Sequence, residues 1–204
     1  MIYIKKSGVP GWYSELLEIN SSIKEYEDLE SNARQRLRQN FLDEQFYICG
    51  YCCGKIDKTN AHNEHIVPQS RPNGSNSLNY NNMIASCRGF KLERDTCGHR
   101  KNSGYIEEKF VSPLDQECEG HFKYYIDGEI VGKNEKAKYT IELLNLNSGA
   151  LKNARRGVLK QSRMYNSDIA SEIYLKPSDG KLQPLCNIVK YFLNVHVHLF
   201  RDTE

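Results

Sequence analysis

The chain has 204 residues, 39% of them hydrophobic and 26% charged, with a formal net charge of +2. Such a length and composition describe a globular chain able to bury a core, as one domain or a core with appendages. The near-zero charge excludes an argument for nucleic-acid binding from total charge, so phosphate contact has to come from local patches, and the absence of an 18-residue apolar run excludes a membrane-spanning helix.

The N-terminal region, residues 1–45, is expected to be a helical arm. Met1-Ile2-Tyr3-Ile4-Lys5-Lys6 does not resemble a signal peptide. After Pro10 and Gly11, apolar residues Trp12, Leu16, Leu17, Ile19 and Ile23 recur at helical spacing, with Ser14 as a plausible cap. A second helix is expected over residues 31–45, with Ala33, Leu37, Phe41 and Leu42 on one face. Arg34, Arg36 and Arg38 spread over the other face, either as phosphate contacts or as a plain solvated surface. With six basic and eight acidic residues the arm is slightly acidic.

Residues 46–112 hold the chemistry-bearing side chains. Seven cysteines are present, and they are clustered rather than spread. Such clustering favours metal ligands or buried thiols in a reducing compartment, so a cytoplasmic location is expected. Cys49 and Cys52 make a Cys-x-x-Cys knuckle, which lets one turn present two thiolates to one ion. A redox pair uses the same spacing, but Cys87 and Cys97 follow downstream and no βαβ pattern surrounds the knuckle. Four thiolates close a tetrahedral site, so the expected Zn2+ is structural. Nine residues separate Cys87 from Cys97, a departure from the usual two-residue gap. Cys53 is the rival ligand; its alternative reading is a small buried thiol.

Between the cysteine pairs, residues 61–67 fit a short strand that Pro68 would end. Phosphodiester hydrolysis needs a base to activate water and a divalent cation to neutralise developing charge. His65 suits the base, because an imidazole is largely neutral near pH 7. Glu64 offers a hard carboxylate oxygen to a Mg2+-type ion, and His99 can add a second ligand. Adjacent strand residues point to opposite faces, so Glu64 and His65 need a bend to share one site. Residues 69–80, rich in Ser, Asn, Pro and Gly, read as a loop joining two antiparallel strands. Asn82, with Asn79 and Asn81 as competitors, is expected to tie that loop back through its amide. Residues 82–86 read as the second strand, and residues 97–101 as the opening of a short helix. Arg100 and Lys101 on it are placed to meet substrate phosphate.

In residues 113–204, alternation over 122–131 around Asp127-Gly128 reads as a hairpin. Helical periodicity returns from Thr140, and Leu151, Ala154 and Val158 mark an apolar face. Lys152, Arg155, Arg156, Lys160 and Arg163 give that helix five positive charges and no acid. The stripe reads as a nucleic-acid contact through Arg155 and Arg156, or equally as a solvated face. A last helix carries Leu185, Ile188, Val189, Phe192 and Leu193, as core or subunit interface. His196 and His198 alternate in a tail read as extended, and Cys118, His121 and Cys186 read as structural.

These motifs resemble those of HNH, or His-Me finger, endonucleases with a four-cysteine zinc staple. The likeness extends to the HNH subunit (PtuB) of Septu-type and retron-associated anti-phage defence systems. It rests on Met1-x-x-Ile4 with Pro10, Leu37-Arg38-x-x-Phe41-x-x-x-Gln45, Glu64-His65-x-x-Pro68 and Cys97-Gly98-His99-x-Lys101. Val111-Ser112-Pro113-Leu114-Asp115, Thr140-Ile141 and Leu144-Asn145-Leu146-Asn147 add to it. The resemblance implies an α+β fold, a zinc-stapled ββα-metal core flanked by helical regions. It implies His65 as general base, Glu64 and His99 as ligands of a catalytic divalent ion, and Asn82 as the middle residue of the signature. It also implies an ABC-type ATPase partner (PtuA-like) and a DNA or RNA substrate. The final His stands two residues past Cys97 rather than beside it, where the general pattern fits worst. The competing reading is a non-catalytic zinc-stapled module for nucleic-acid binding or interaction.

Overall fold

The computed structural model describes residues 1–70, 77–90, 95–101 and 104–200. The fold is α+β. Helix α1 (Gly11–Ile19) starts one residue after Pro10, whose extended backbone serves as the N-cap; Ser14 lies inside the helix and does not cap it. Helix α2 (Ser31–Glu44) buries Ala33, Leu37, Phe41 and Leu42. These positions fall on one face because a helix turns once every 3.6 residues. Of the three arginines opposite, Arg36 lies over the Trp12 ring at 4.3 Å and Arg34 sits near Tyr26.

The buried face of α2 packs on a two-stranded antiparallel sheet, β1 (Ala61–His65) and β2 (Met83–Cys87). The register pairs Ala61 with Cys87, Glu64 with Ile84 and His65 with Met83. Two strands leave unpaired edges, and one side chain closes part of the β2 edge. Gln45 is buried; its Nε2 donates to the carbonyls of Ile48 and Ala85 at 2.9 and 2.8 Å, and its Oε1 accepts from the Ala85 amide at 2.7 Å. The amide of Gln45 thus stands in for a strand. Helix α3 (Cys97–Lys101) follows and contacts β2. Parts of the joining loop (residues 71–76), of the Cys87–Cys97 insertion (91–94) and of the segment after α3 (102–103) lie outside the described residues.

A second hairpin, β3 (Phe122–Tyr124) with β4 (Ile130–Gly132), turns at Gly128. Gly128 has φ +89°, and a Cβ there would lie 2.0 Å from the Lys152 carbonyl oxygen, so glycine is required twice over. Four helices follow: α4 (Glu135–Leu143), α5 (Gly149–Ser162), α6 (Ser167–Leu175) and α7 (Cys186–Val195). Asn134, Ser148 and Asn166 cap the first three with side-chain oxygens that accept from amides in the first turn. Helix α6 is an element the sequence pattern did not announce. Its sequence, SDIASEIYL, buries only Ala170 and Tyr174, too narrow a stripe to stand out. Helix α7 buries Ile188, Val189 and Phe192 against α5 and α6. His196 precedes a 3-10 turn (Val197–Leu199) and His198 lies within it, so the two are not in an extended tail.

One contiguous set of buried apolar side chains runs from Met1 and Ile4, through the β1–β2 sheet, to Val189 and Phe192. All three stretches of the chain therefore contribute to the core beneath β1, β2 and α3. Among the described residues, no helix is long and apolar enough to cross a membrane.

Candidate metal centre and catalytic cleft

The knuckle lies in the turn between α2 and β1, Cys87 ends β2, and Cys97 opens α3. Folding the hairpin and helix together brings the four thiols to one point. Their sulfurs all lie within 4.8 Å of one another and all four residues are buried. A tetrahedral ion with Zn–S bonds of about 2.3 Å requires sulfurs about 3.8 Å apart; Cys52 Sγ and Cys87 Sγ stand at 3.9 Å. Backbone amides point at the sulfurs as well. The Gly54 amide donates to Cys52 Sγ and the Cys87 amide to Cys49 Sγ, each at 3.3 Å. Burial alone would raise the Cys49 thiol, but hydrogen bonds from Cys52, Cys87 and Cys97 carry it well below its ordinary range. The donor set therefore fits a thiophilic ion such as zinc. Cys53 is outside the cluster: it is buried, and burial pushes its thiol up to about 11. Cys118 and Cys186 are buried thiols too, and all seven cysteines are free of disulfides.

On β1, alternation puts His62 and Glu64 on one face, Asn63 and His65 on the other. No bend separates Glu64 from His65, since the ladder runs unbroken to the His65–Met83 pair. The two meet another way. Among the described residues β1 pairs with β2 alone, and a cleft of about 290 Å³ wraps its end. Glu64, His65, Gln69, Gly98, His99 and Lys101 line it with His62, Asn63 and Pro68.

His65 is held firmly. Its Nε2–H donates to the Ser77 carbonyl at 2.8 Å, and its ring meets Tyr26 edge-on at 4.9 Å. The carbonyl acceptor fixes the proton on Nε2, which leaves the lone pair on Nδ1. The Gln69 amide lies 3.2 Å from that nitrogen. Burial lowers the His65 pKa below its usual 6.5, against the opposing effects of Ser77 and Glu64. The ring is therefore neutral, as a base must be.

Of the three candidate asparagines, Asn82 spans back to the segment after β1. Its Oδ1 accepts from the Val67 amide at 2.9 Å and its Nδ2 donates to the Val67 carbonyl at 3.0 Å. Asn79 instead caps its own turn, accepting from the Asn81 amide.

Glu64 is buried and its two oxygens have different neighbours. Oε1 is held by Lys101 Nζ at 2.9 Å and by Tyr51 Oη at 3.2 Å; Oε2 lies 3.1 Å from His62 Nε2. Burial opposes ionisation, but His62 and Lys101 overcome it and hold the carboxyl below its ordinary value. Glycine after Cys97 leaves open space beside these side chains. A Cβ on Gly98 would lie 2.5 Å from Glu64 Oε2 and 2.7 Å from His62 Nε2. His99 is exposed at the rim, its ring 4.8 Å from that of His62. The ligand atoms of Glu64 and His99 do not join a third group as the cysteines do: among the described residues the four thiols are the one such set.

Two expected phosphate contacts are corrected. Lys101 is 2% exposed, with Nζ donating to the His65 and Ile66 carbonyls at 2.5 and 2.8 Å as well as pairing with Glu64. Arg155 is 1% exposed, and it donates to the Gly128 carbonyl at 2.7 Å, the Leu146 carbonyl at 2.6 Å and Asn147 Oδ1 at 3.3 Å. Each cation is spent on partners inside the molecule, Arg155 on carbonyls and Asn147, and Lys101 on carbonyls and Glu64 at the floor of the cleft. Arg100 and Arg156 are exposed. Sequence reasoning passed over His62, Tyr51, Gln69 and Gly98. For His62 a signal existed, its two-residue spacing from Glu64 on a strand.

No family model matches the chain. The chain is similar to a curated protein of Escherichia coli named "Retron Ec83 putative HNH endonuclease", at 27% identity over 167 aligned residues. The match covers 61% of this chain and 65% of the relative, so the chain spans just under two thirds of the length of the curated relative it matches. That similarity supports a relationship to HNH endonucleases.

Proposed function

We propose that the protein is a metal-dependent endonuclease of the HNH type that hydrolyses phosphodiester bonds. One observation carries the reading: the buried His65 and Glu64 line the same cleft beside a four-cysteine cluster. A purely structural zinc knuckle needs neither side chain.

In this reading His65 takes a proton through Nδ1 from the water that attacks phosphorus. The new P–O bond forms as the bond to the leaving sugar oxygen breaks, and solvent protonates that oxygen. Glu64 and His99 would hold a Mg2+-type ion, which supplies charge neutralisation at the phosphate when bound. Lys101 and Tyr51 orient Glu64 through Oε1. Ser77 fixes the tautomer of His65, and Asn82 holds the backbone two residues beyond it. Arg100 and Arg156 are the exposed cations available to phosphate. The zinc-type site keeps α3 against β2 and takes no part in the chemistry.

The resemblance in the flanking motifs supports a further part of the proposal: an ABC-type ATPase subunit, PtuA-like, controls the nuclease in an anti-phage defence complex in the cytoplasm. Seven unpaired thiols suit a reducing compartment.

The test is a cleavage assay of the chain, alone and with the co-expressed neighbouring ATPase and ATP, on DNA and RNA with Mg2+ or Mn2+. Cleavage lost in His65→Ala, with zinc content and melting temperature unchanged, is expected. Cleavage that survives His65→Ala overturns the assignment of the base. Nucleic-acid binding without cleavage in every combination would favour the non-catalytic zinc-stapled module.

A further inference from the structure

We propose that His62 is a ligand of the catalytic ion, paired with Glu64 across one coordination edge, and that Gly98 is the residue that leaves the ion its place. The inference rests on the reading of the cleft as a metal-dependent nuclease site.

Three observations carry it. First, two cis ligands of an octahedral ion at about 2.1 Å stand about 3.0 Å apart, and His62 Nε2 lies 3.1 Å from Glu64 Oε2. The spacing already matches one edge of the octahedron. Second, the two oxygens of Glu64 are divided. Oε1 is committed to Lys101 and Tyr51, which fixes the carboxylate plane, and Oε2 is the one turned to His62. An ion entering between Oε2 and Nε2 replaces one contact and leaves the anchoring of Glu64 intact. Third, the missing Cβ of Gly98 leaves a hollow flanked by those two donor atoms, at 2.5 and 2.7 Å. A Cβ there would press on the ends of the Glu64 and His62 side chains.

Mg2+ and Mn2+ keep several waters and need only one or two protein groups besides substrate phosphate. A His62–Glu64 edge with His99 beside it is therefore sufficient. The His62 and His99 rings are 4.8 Å apart, which puts His99 beside this edge on the α3 side. β1 supplies the imidazole nearer to the carboxylate, and Gly98 leaves space beside both.

The experiment measures Mn2+ binding by electron paramagnetic resonance on the zinc-loaded full chain, with zinc stoichiometry and melting temperature followed for every variant. Glu64→Gln is expected to abolish the site, and His62→Ala to weaken Mn2+ at least tenfold. The His99→Ala protein is expected to keep a nitrogen coupling in the Mn2+ spectrum that disappears on adding His62→Ala. Gly98→Ala removes no donor, and it is expected to weaken Mn2+ comparably by occupying the hollow. Mn2+ bound by His62→Ala within twofold of the parent, with Glu64→Gln still abolishing the site, overturns the inference and leaves the nuclease reading standing. Binding indifferent to Glu64→Gln overturns both.

Discussion

Lys101 is the residue whose replacement most sharply separates a surface role from an interior one. Its ammonium is 2% exposed and serves three acceptors: Glu64 Oε1 and the carbonyls of His65 and Ile66. Burial lowers its pKa while Glu64 opposes that shift. Lys101→Met keeps the length of the stem and deletes the charge. It leaves a buried carboxylate with Tyr51 and His62 as its remaining partners and strips two backbone carbonyls of a donor. Breaking a buried pair in this way costs about 3–5 kcal/mol. For a chain of this size each kcal/mol lowers Tm by roughly 2–4 °C, so a drop of about 6–20 °C is expected by calorimetry. Adding Glu64→Gln removes the stranded charge, and the double variant should recover part of the loss, a coupling on the order of 1–3 kcal/mol. Lys101→Met should leave the salt dependence of nucleic-acid binding unchanged, because a phosphate contact would contribute about 0.9 to that slope. A variant within about 0.5 kcal/mol of the parent whose slope falls by about 0.9 would refute the interior role.

Arg155→Met should cost about 1–3 kcal/mol for each buried carbonyl left without its donor and keep its salt slope, since the guanidinium joins Gly128 and Leu146 rather than facing solvent; Arg100→Ala and Arg156→Ala should each flatten the slope with Tm changed little, and the reverse pattern would restore the basic stripe. Metal analysis should find about one zinc per chain, and a strong chelator should melt the β1–β2–α3 region, because structural zinc contributes roughly 10–16 kcal/mol in small folds; a metal-free chain with unchanged circular dichroism and Tm would dismiss the staple. The acid limb of kcat/KM should lie below pH 6.5, because burial depresses the His65 pKa and the base stays neutral down to that lower value. The same shift makes the unfolded chain bind more protons than the folded one below pH 6.5, so the His65 contribution to stability falls as pH drops through that window. A limb above pH 6.5 that His65→Ala leaves in place would remove His65 from the reaction.

Much of the site was legible because its signals are local. Cys49 and Cys52 announce a knuckle by spacing alone. Residues 61–67 read as a short strand ending before Pro68, and the structure has one at Ala61–His65. The hairpin at Asp127-Gly128 and the face of α2 follow from turn chemistry and a 3.6-residue period. What could not be read is set by tertiary contact. Lys101 and Arg155 carry charges that composition assigns to the surface, and only the fold turns them inward onto carbonyls. His62 gains its meaning from Gly98, 36 positions away in the chain, which lacks the carbon that would exclude it. Helix α6 packs through two buried side chains, too few to mark a period.

The misread cations belong to a wider pattern. Among the described residues both sheets have two strands, and short sheets leave backbone groups that a larger sheet would pair. This chain fills the deficit with side chains. Gln45 lies along β2 at Ala85, and Asn82 brackets Val67. Asn147 exchanges both hydrogen bonds with Ile130, at 2.9 and 2.8 Å, and Arg155 holds the turn at Gly128. Polar residues that composition reads as surface are thus strand substitutes, and the fold can keep its sheets small. The cleft lies where β1 stops: Glu64 and His65 start from opposite faces of the strand, and at its end both side chains line the same space.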